Sequence, residues 1–133
     1  MSQENVELAH GLVDAVARQD LTRLIDLTDP KVEWHSFFAQ LREGGVYRGH
    51  EGIRQYISDL GDTWDLLQTE ILDTLAVGDL VLMVGRLRYR GKGSGFESES
   101  LTGYVLKVRN GKALLMRAFR EPEEAIEAVG LSE

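Results

Sequence analysis

Residues 66–120 read LLQTEILDTLAVGDLVLMVGRLRYRGKGSGFESESLTGYVLKVRNGKALLMRAFR, and this stretch decides the fold. Apolar and polar residues alternate through much of it, which is typical of β-strands that bury one face. Three turn sequences interrupt the alternation: Gly78-Asp79, the glycine-rich segment 91–95, and Asn110-Gly111, which is the strongest hairpin signal. We therefore predict four successive long strands that pair as an antiparallel meander. The first covers about 66–77, the second 80–90 and the last 113–120.

Charged residues predict the register between the second and third of these strands. Arg88 and Arg90, with Arg86, share one face of the second strand, and Glu97 and Glu99 share one face of the third. Pairing Arg90 with Glu97 also pairs Arg88 with Glu99, and opposite charges across a ladder contribute roughly 0.2–1 kcal/mol. We interpret this face as a solvated outer face with ion pairs; the alternative is an anion site. The same register pairs Met83 with Tyr104 and Gly85 with Thr102.

The opposite face of these two strands is mostly apolar, with a few hydroxyl groups. This composition fits the wall of a small-molecule pocket. It fits equally well a core whose hydroxyl groups have hydrogen-bond partners. The residues on this face are Met83, Leu87, Tyr89, Thr102, Tyr104 and Leu106.

Helical patterns precede and follow the strands. An apolar stripe from Val6 to Ala17 predicts one helix, and Asp20 is placed to cap a short second helix that ends at Asp29-Pro30. We further predict a strand at 31–35, an irregular segment at 36–47, a helix at 49–60 and a last helix from Glu121-Pro122 to Gly130. Helices followed by consecutive strands indicate the α+β class, with helices across one face of a curved antiparallel sheet.

Composition disfavours several functional classes. The 133 residues suit a single domain over 1–133 that buries a core without disulfides. With 22 acidic and 15 basic residues the net charge is -7, which disfavours binding to nucleic acid or an anionic membrane. The chain contains no cysteine and only three scattered histidines, so no metal motif is recognisable and we expect no cofactor. The sequence shows no secretion signal and no apolar run near the ~20 residues that span a bilayer, so we expect a cytoplasmic protein.

Six short strings follow one another along the chain in a recognisable order. They are Glu4-Asn5-Val6, Asp20-Leu21, Asp29-Pro30-Lys31-Val32-Glu33-Trp34, Tyr47-Arg48-Gly49-His50-Glu51-Gly52-Ile53, Asn110-Gly111-Lys112 and Arg120-Glu121-Pro122-Glu123-Glu124-Ala125. Together, over nearly the whole chain, they resemble the ketosteroid-isomerase-like superfamily, also called nuclear-transport-factor-two-like (NTF2-like), and in particular its SnoaL-like branch.

The resemblance implies a fold and an assembly. Members of this superfamily form a cone, in which a curved antiparallel sheet wraps three N-terminal helices, a short helix follows, and a pocket lies at the open end. They are commonly homodimers through the outer sheet face, so we expect a homodimer. The superfamily includes isomerases, cyclases, dehydratases, epoxide hydrolases and non-catalytic binding domains, so the fold alone does not define the function.

The resemblance also implies two catalytic candidates. The position of the steroid isomerases' general base corresponds to His35, and the position of their oxyanion-stabilising acid corresponds to Tyr104. A histidine is a suitable base at neutral pH, and a tyrosine hydroxyl can donate to an oxyanion. Their oxyanion tyrosine corresponds to Leu12, so this third role is lost.

Other mechanisms of the superfamily find no matching residues. The water-activating groups of its epoxide hydrolases correspond to Gly85, Leu87 and Ala118, so we reject that mechanism. SnoaL-like cyclases use an acidic residue on the last strand, and residues 113–120 contain none.

Several further residues are candidates for ligand contact. Glu33 shares a strand face with His35 and is placed to orient its imidazole, whereas Trp34 falls on the opposite face and is interpreted as packing. The last turn leaves two alternatives, since a two-residue turn points Arg117 inward, whereas a bulged three-residue turn points Met116, Ala118 and Arg120 inward. The predicted ligand-binding residues are Glu33, Tyr56, Trp64, Met83, Leu87, Thr102, Met116 and Arg120.

The sequence thus predicts a pocket protein that binds a small apolar molecule. Proton-transfer chemistry of the isomerase or dehydratase type is the catalytic hypothesis, with His35 as base and Tyr104 as oxyanion donor. The alternative is a non-catalytic ligand-binding or dimeric interaction domain of the same fold.

Overall fold

The structure is a computed structural model that describes residues 2–37 and 45–130. Each of the four predicted helices is present. Helix α2 ends earlier than predicted, because the Thr28 hydroxyl donates to the carbonyl oxygens of Leu24 and Ile25 and the chain is extended from Thr28 onward. The helices are α1 (Ser2–Arg18), α2 (Leu21–Leu27), α3 (Gly49–Thr63) and α4 (Pro122–Ala128).

Within the described residues, six strands form one curved mixed sheet in the order β2-β1-β6-β5-β4-β3. The predicted meander of four long strands is confirmed. Strand β1 lies parallel to β6, so the sheet is mixed and not wholly antiparallel as predicted; the chain between these two strands is long enough for the crossover that a parallel pair requires. The short β2 was predicted as part of an irregular segment; most of that segment, 38–44, lies outside the described residues. The strands are β1 (Thr28–His35), β2 (Val46–Arg48), β3 (Trp64–Val77), β4 (Leu80–Gly91), β5 (Glu97–Arg109) and β6 (Lys112–Phe119).

The register that the charges predicted between β4 and β5 is confirmed. Arg90 lies opposite Glu97 and Arg88 opposite Glu99. The Arg88 guanidinium is 3.4 Å from a Glu97 carboxylate oxygen and 4.0 Å from one of Glu99. The arginine face is thus an exposed face with ion pairs, and we call it the outer face.

The main core lies on the opposite, inner face, against α1, α2 and α3. Residues from all three helices and from the sheet are fully buried there, including Leu12, Leu24, Ile53, Met83 and Leu106. The three N-terminal helices therefore cover the inner face as predicted. No helix of the described residues is long and apolar enough to cross a membrane.

Helix α4 differs from the prediction that the helices share one face, because it packs on the outer face. Ala125 forms a small second cluster with Leu82 and Val105, whose side chains point away from the main core. A Cβ atom at Gly103 would lie 2.6 Å from the Ala125 Cβ atom. The missing side chain at Gly103 is what lets α4 approach the sheet so closely.

Candidate functional site

A cavity of about 50 Å³ lies between the inner face of the sheet and helices α1 and α3. This volume is room for a few water molecules, each of which needs roughly 10–15 Å³. Its walls are mainly apolar and aromatic. They consist of Leu12, Val13, Val16, Trp34, His35, Ser36, Phe37, Tyr56, Leu67, Thr69, Leu87, Tyr104, Met116 and Ala118.

Tyr104 and Thr69 form a pair of hydroxyl groups in the wall. Their oxygen atoms are 3.1 Å apart, and either group can be the donor. Burial raises the pKa of the Tyr104 hydroxyl, and its hydrogen bond with Thr69 opposes that shift. A nearby residue on β4, Gly85, which pairs with Ile71 and Thr102, has no side chain: a Cβ atom there would lie 2.8 Å from the Thr69 methyl group and 3.6 Å from the Tyr104 ring. Gly85, which corresponds to one of the water-activating groups of the epoxide hydrolases, leaves room for this pair.

A second polar group of the wall centres on Tyr56. This tyrosine projects from α3 and packs against the Trp34 ring with a centroid separation of 5.4 Å. Burial raises the pKa of Tyr56, and hydrogen bonds with the Trp34 and Ser36 side chains oppose that shift. Tyr56 is one of the residues that line the cavity.

The orientation of β1 places Trp34, and not His35, toward the core. Trp34 is 3% exposed and lies beside Met116, whereas His35 lies beside the exposed Arg117. The interpretation of Trp34 as packing was right but incomplete, because its ring also lines the cavity.

His35 lies at the rim of the cavity. Its Nε2 atom is 3.3 Å from a carboxylate oxygen of Glu33, as expected from their shared strand face, and its side chain is 27% exposed. His35 is one of the residues that line the cavity. Its imidazole, however, contacts Glu33, and both side chains lie on the face of β1 opposite Trp34.

The hairpin between β5 and β6 has the two-residue turn of the first alternative and the bulge of the second. Asn110 and Gly111 alone connect the paired residues Arg109 and Lys112, and a register shift follows between Lys107 and Val108. That shift points Met116 and Ala118 inward, where both line the cavity. Arg117 is exposed, and its guanidinium lies 4.8 Å from the centre of the Phe119 ring.

Of the other predicted contact residues, Leu87 lines the cavity and five do not. Met83 is fully buried in the core, and the fully buried Thr102 donates its hydroxyl proton to the Phe119 carbonyl oxygen at 2.7 Å. Trp64 packs edge-on against Tyr89, with ring centroids 5.3 Å apart. The remaining two are Glu33, described above, and Arg120, which is exposed beyond the end of β6.

Most wall residues that the sequence interpretation missed had a visible signal. Val13 and Val16 belong to the apolar stripe of α1, and Leu67 and Thr69 share the inner face of β3. Neither pattern distinguishes a cavity wall from a filled core.

Within residues 2–37 and 45–130, no group of three or more histidine, aspartate or glutamate side chains is arranged to hold a metal ion.

Solved structures share this fold over almost the whole chain. An NTF2-like protein of unknown function from Burkholderia pseudomallei is 19% identical with a TM-score of 0.78, and the match covers 96% of this chain and 98% of that one. TerC, co-crystallised with polyporic acid, is 20% identical with a TM-score of 0.77, covering 93% and 98%. A protein with a ketosteroid-isomerase-like fold from Catenulispora acidiphila, in complex with trimethylamine, is 14% identical with a TM-score of 0.75, covering 95% and 94%. The fold is therefore NTF2-like.

The family follows from the sequence itself. A family model described as the SnoaL-like domain matches residues 9–116, so the chain belongs to the SnoaL-like domain family. The resemblance found in the short strings is confirmed. No curated protein sequence matches the chain significantly.

Proposed function

We propose that this protein binds a small, largely apolar molecule in the cavity. The observation that carries the proposal is the composition of the wall, in which apolar and aromatic side chains surround a few convergent hydroxyl groups. Such walls are typical of small-molecule sites. A small-molecule role is also supported by two proteins of the same fold, TerC, co-crystallised with polyporic acid, and a protein from Catenulispora acidiphila in complex with trimethylamine.

A ligand screen by thermal unfolding and NMR tests this proposal. Small alcohols, ethers and ketones at ten times their Kd should stabilise the protein by about 1.4 kcal/mol, which raises its unfolding temperature by several degrees. Ala118→Val adds two methyl groups to the cavity wall and should abolish the stabilisation, while Ala128→Val on the exposed side of α4 should keep it. Equal ligand responses in the two variants would show that binding occurs elsewhere.

Proton-transfer catalysis is the second candidate function. His35 is the one histidine among the described wall residues, and a carboxylate oxygen of Glu33 lies 3.3 Å from its Nε2 atom, where it can orient the imidazole. In this mechanism His35 removes a proton from the ligand and Tyr104 donates a hydrogen bond to the oxygen that gains charge.

Substitution of the two residues tests the catalytic candidate once a screen has found a substrate. Loss of a general base or an oxyanion donor typically costs about 10²-fold or more in rate. His35→Gln and Tyr104→Phe should therefore each lower kcat by about that factor. Unchanged turnover in both variants would leave ligand binding as the function of the cavity.

We also propose that the protein forms a homodimer through the part of the outer face that α4 leaves uncovered. Leu101 is 52% exposed there, beside the ion pairs of Arg88 with Glu97 and Glu99. An exposed leucine among charges of both signs suits a face that meets a second copy of itself. Light scattering at micromolar concentration should give a dimer mass, and Leu101→Lys should give a monomer. A monomeric wild-type protein would contradict the proposal.

A further inference from the structure

The partly exposed residues of the cavity wall fall into two separate places. His35 and Phe37 lie at the rim, at the end of β1. The others lie where helix α1 meets strand β3, a boundary that we call the α1–β3 seam, and they include Tyr104, whose hydroxyl contacts Thr69 there. They are Val13, Val16, Leu67, Thr69 and Tyr104, and the rest of the described wall is buried.

A groove of about 510 Å³ lies along the outside of this seam. Val13 and Thr69 line both the groove and the cavity, so these two residues form the partition between them. Strand β3 is an edge of the described sheet, so no further strand of the described residues supports the partition. The other residues of the groove are His10, Asp14, Ala17, Gln68, Glu70, Ile71, Arg86 and Arg88.

Few interactions hold α1 against β3 along the seam. Among the described residues, one side-chain hydrogen bond joins the two elements, between His10 Nε2 and Thr74 Oγ1 at 3.0 Å, and it is exposed. The apolar side chains of the seam, such as Val13 and Ile71, are only partly buried where they pack against the core. Boundaries with few buried apolar contacts are the ones that open locally.

The rim is held more firmly than the seam. Phe37 packs against Tyr89 with ring centroids 6.4 Å apart, and Tyr89 packs edge-on against Trp64 at 5.3 Å. The neighbouring wall residues Trp34 and Ser36 are buried. We therefore expect the seam to open more readily than the rim.

We propose that the α1–β3 seam is a gated entrance to the cavity, with the Val13 and Thr69 side chains as the gate. A small apolar ligand enters from the groove when α1 moves slightly away from β3, and it arrives beside the Tyr104 hydroxyl. Moving elements of this kind set the rates of ligand entry and release. The inference rests on the proposed function, because a gate has a role only if the cavity takes up a ligand.

Xenon is a suitable probe of the gate, since apolar protein cavities bind this single apolar atom. The methyl signals of the buried wall residues Leu12 and Leu87 report its affinity for the cavity of the full chain. Xenon NMR exchange spectroscopy measures the entry and exit rates. A gate changes only the barrier, so a gate variant should change both rates by the same factor and leave the affinity unchanged.

Two substitutions in the groove test the gate without altering the cavity wall, because Ala17 and His10 line the groove alone. Ala17→Phe places a ring in the groove and should lower both rates about tenfold, which corresponds to about 1.4 kcal/mol of added barrier. His10→Ala removes the hydrogen bond to Thr74 and should raise both rates about two- to tenfold, the value of one hydrogen bond.

Ala128→Phe is the matched control, because it makes the same substitution on the exposed side of α4, outside the groove. It should leave both rates and the affinity unchanged. Thermal unfolding verifies that each variant is folded.

The possible outcomes separate the inference from the proposed function. If Ala17→Phe and His10→Ala leave both rates unchanged, or if Phe37→Leu at the rim changes them instead, the seam is not the entrance while the pocket function stands. If the rates follow the thermal stability of every variant, the control included, entry requires unfolding and the inference is wrong. If xenon shifts no signal from the cavity wall, the proposed pocket function fails and the inference fails with it.

Discussion

Gly85→Ala is the substitution whose effect the structure defines most closely. The added methyl group would lie 2.8 Å from the Thr69 Cγ2 atom and 3.0 Å from the Glu70 carbonyl oxygen. Overpacking of this kind costs typically about 1–3 kcal/mol. Alanine regains about 0.5–1 kcal/mol over glycine inside a strand, because glycine loses more conformational freedom on folding. We expect a net loss of about 1–2 kcal/mol in the free energy of unfolding.

A second substitution identifies the cause of that loss. Thr69→Ser removes the crowded methyl group and keeps the hydroxyl that contacts Tyr104 at 3.1 Å. Alone it should cost at most about 0.8 kcal/mol, the value of one buried methylene-sized group. Combined with Gly85→Ala it should relieve the overlap with the Thr69 methyl group and leave the 3.0 Å contact with the Glu70 carbonyl oxygen, so the double variant should be more stable than the sum of the two losses by about 1 kcal/mol.

Urea or guanidinium unfolding measures all three variants. Gly11→Ala is the control, because its added Cβ atom would find no atom nearer than 3.5 Å. Removal of a helical glycine should raise stability by up to about 1 kcal/mol. Additive losses at Gly85 and Thr69 would refute the reasoning, since they would show that the two side chains do not compete for the same space.

Three further predictions concern the outer helix, the buried tyrosine and a helix cap. Gly103→Ala should destabilise the protein by about 1–3 kcal/mol through overlap with Ala125, and Ala125→Gly should restore part of the loss in unfolding experiments. Because burial raises the pKa of Tyr56 above its usual 10.0, the associated stability is complete below pH 10.0 and falls as the pH rises further. Tyr56→Phe should flatten that alkaline decline, and an unchanged pH profile would contradict the assignment. Asp20→Ala should cost about 1 kcal/mol, because the Asp20 carboxylate accepts from the Arg23 backbone N–H at 3.1 Å; no loss in thermal unfolding would show that solvent replaces the cap.

The candidate site was only partly predictable, and β1 shows why. Trp34 and His35 alternate on a short strand, and either face has an aromatic ring that could point inward. The packing of Tyr56 from α3 against Trp34 decides the orientation. That contact joins residues that are distant along the chain, so the local pattern does not contain it. The catalytic role of His35 stays a prediction, and its position at the rim follows from this orientation.

The sequence by itself indicated the four helices, the four long strands, their turns and the register between the two central strands. Alternation, turn residues and cross-strand charges act over a few residues or directly across one ladder, so Arg88 and Glu99 already indicated their own partner. Only the tertiary structure decided which inner-face residues line a cavity and which fill the core. Thr102 and Tyr104 share one strand face, yet one hydroxyl donates to the Phe119 carbonyl and the other contacts Thr69 at the cavity. Whether a hydroxyl group on this face reaches the cavity or is buried in the core depends on how the helices pack against the curved sheet. That packing involves side chains that are distant along the chain, so the local sequence pattern does not contain it.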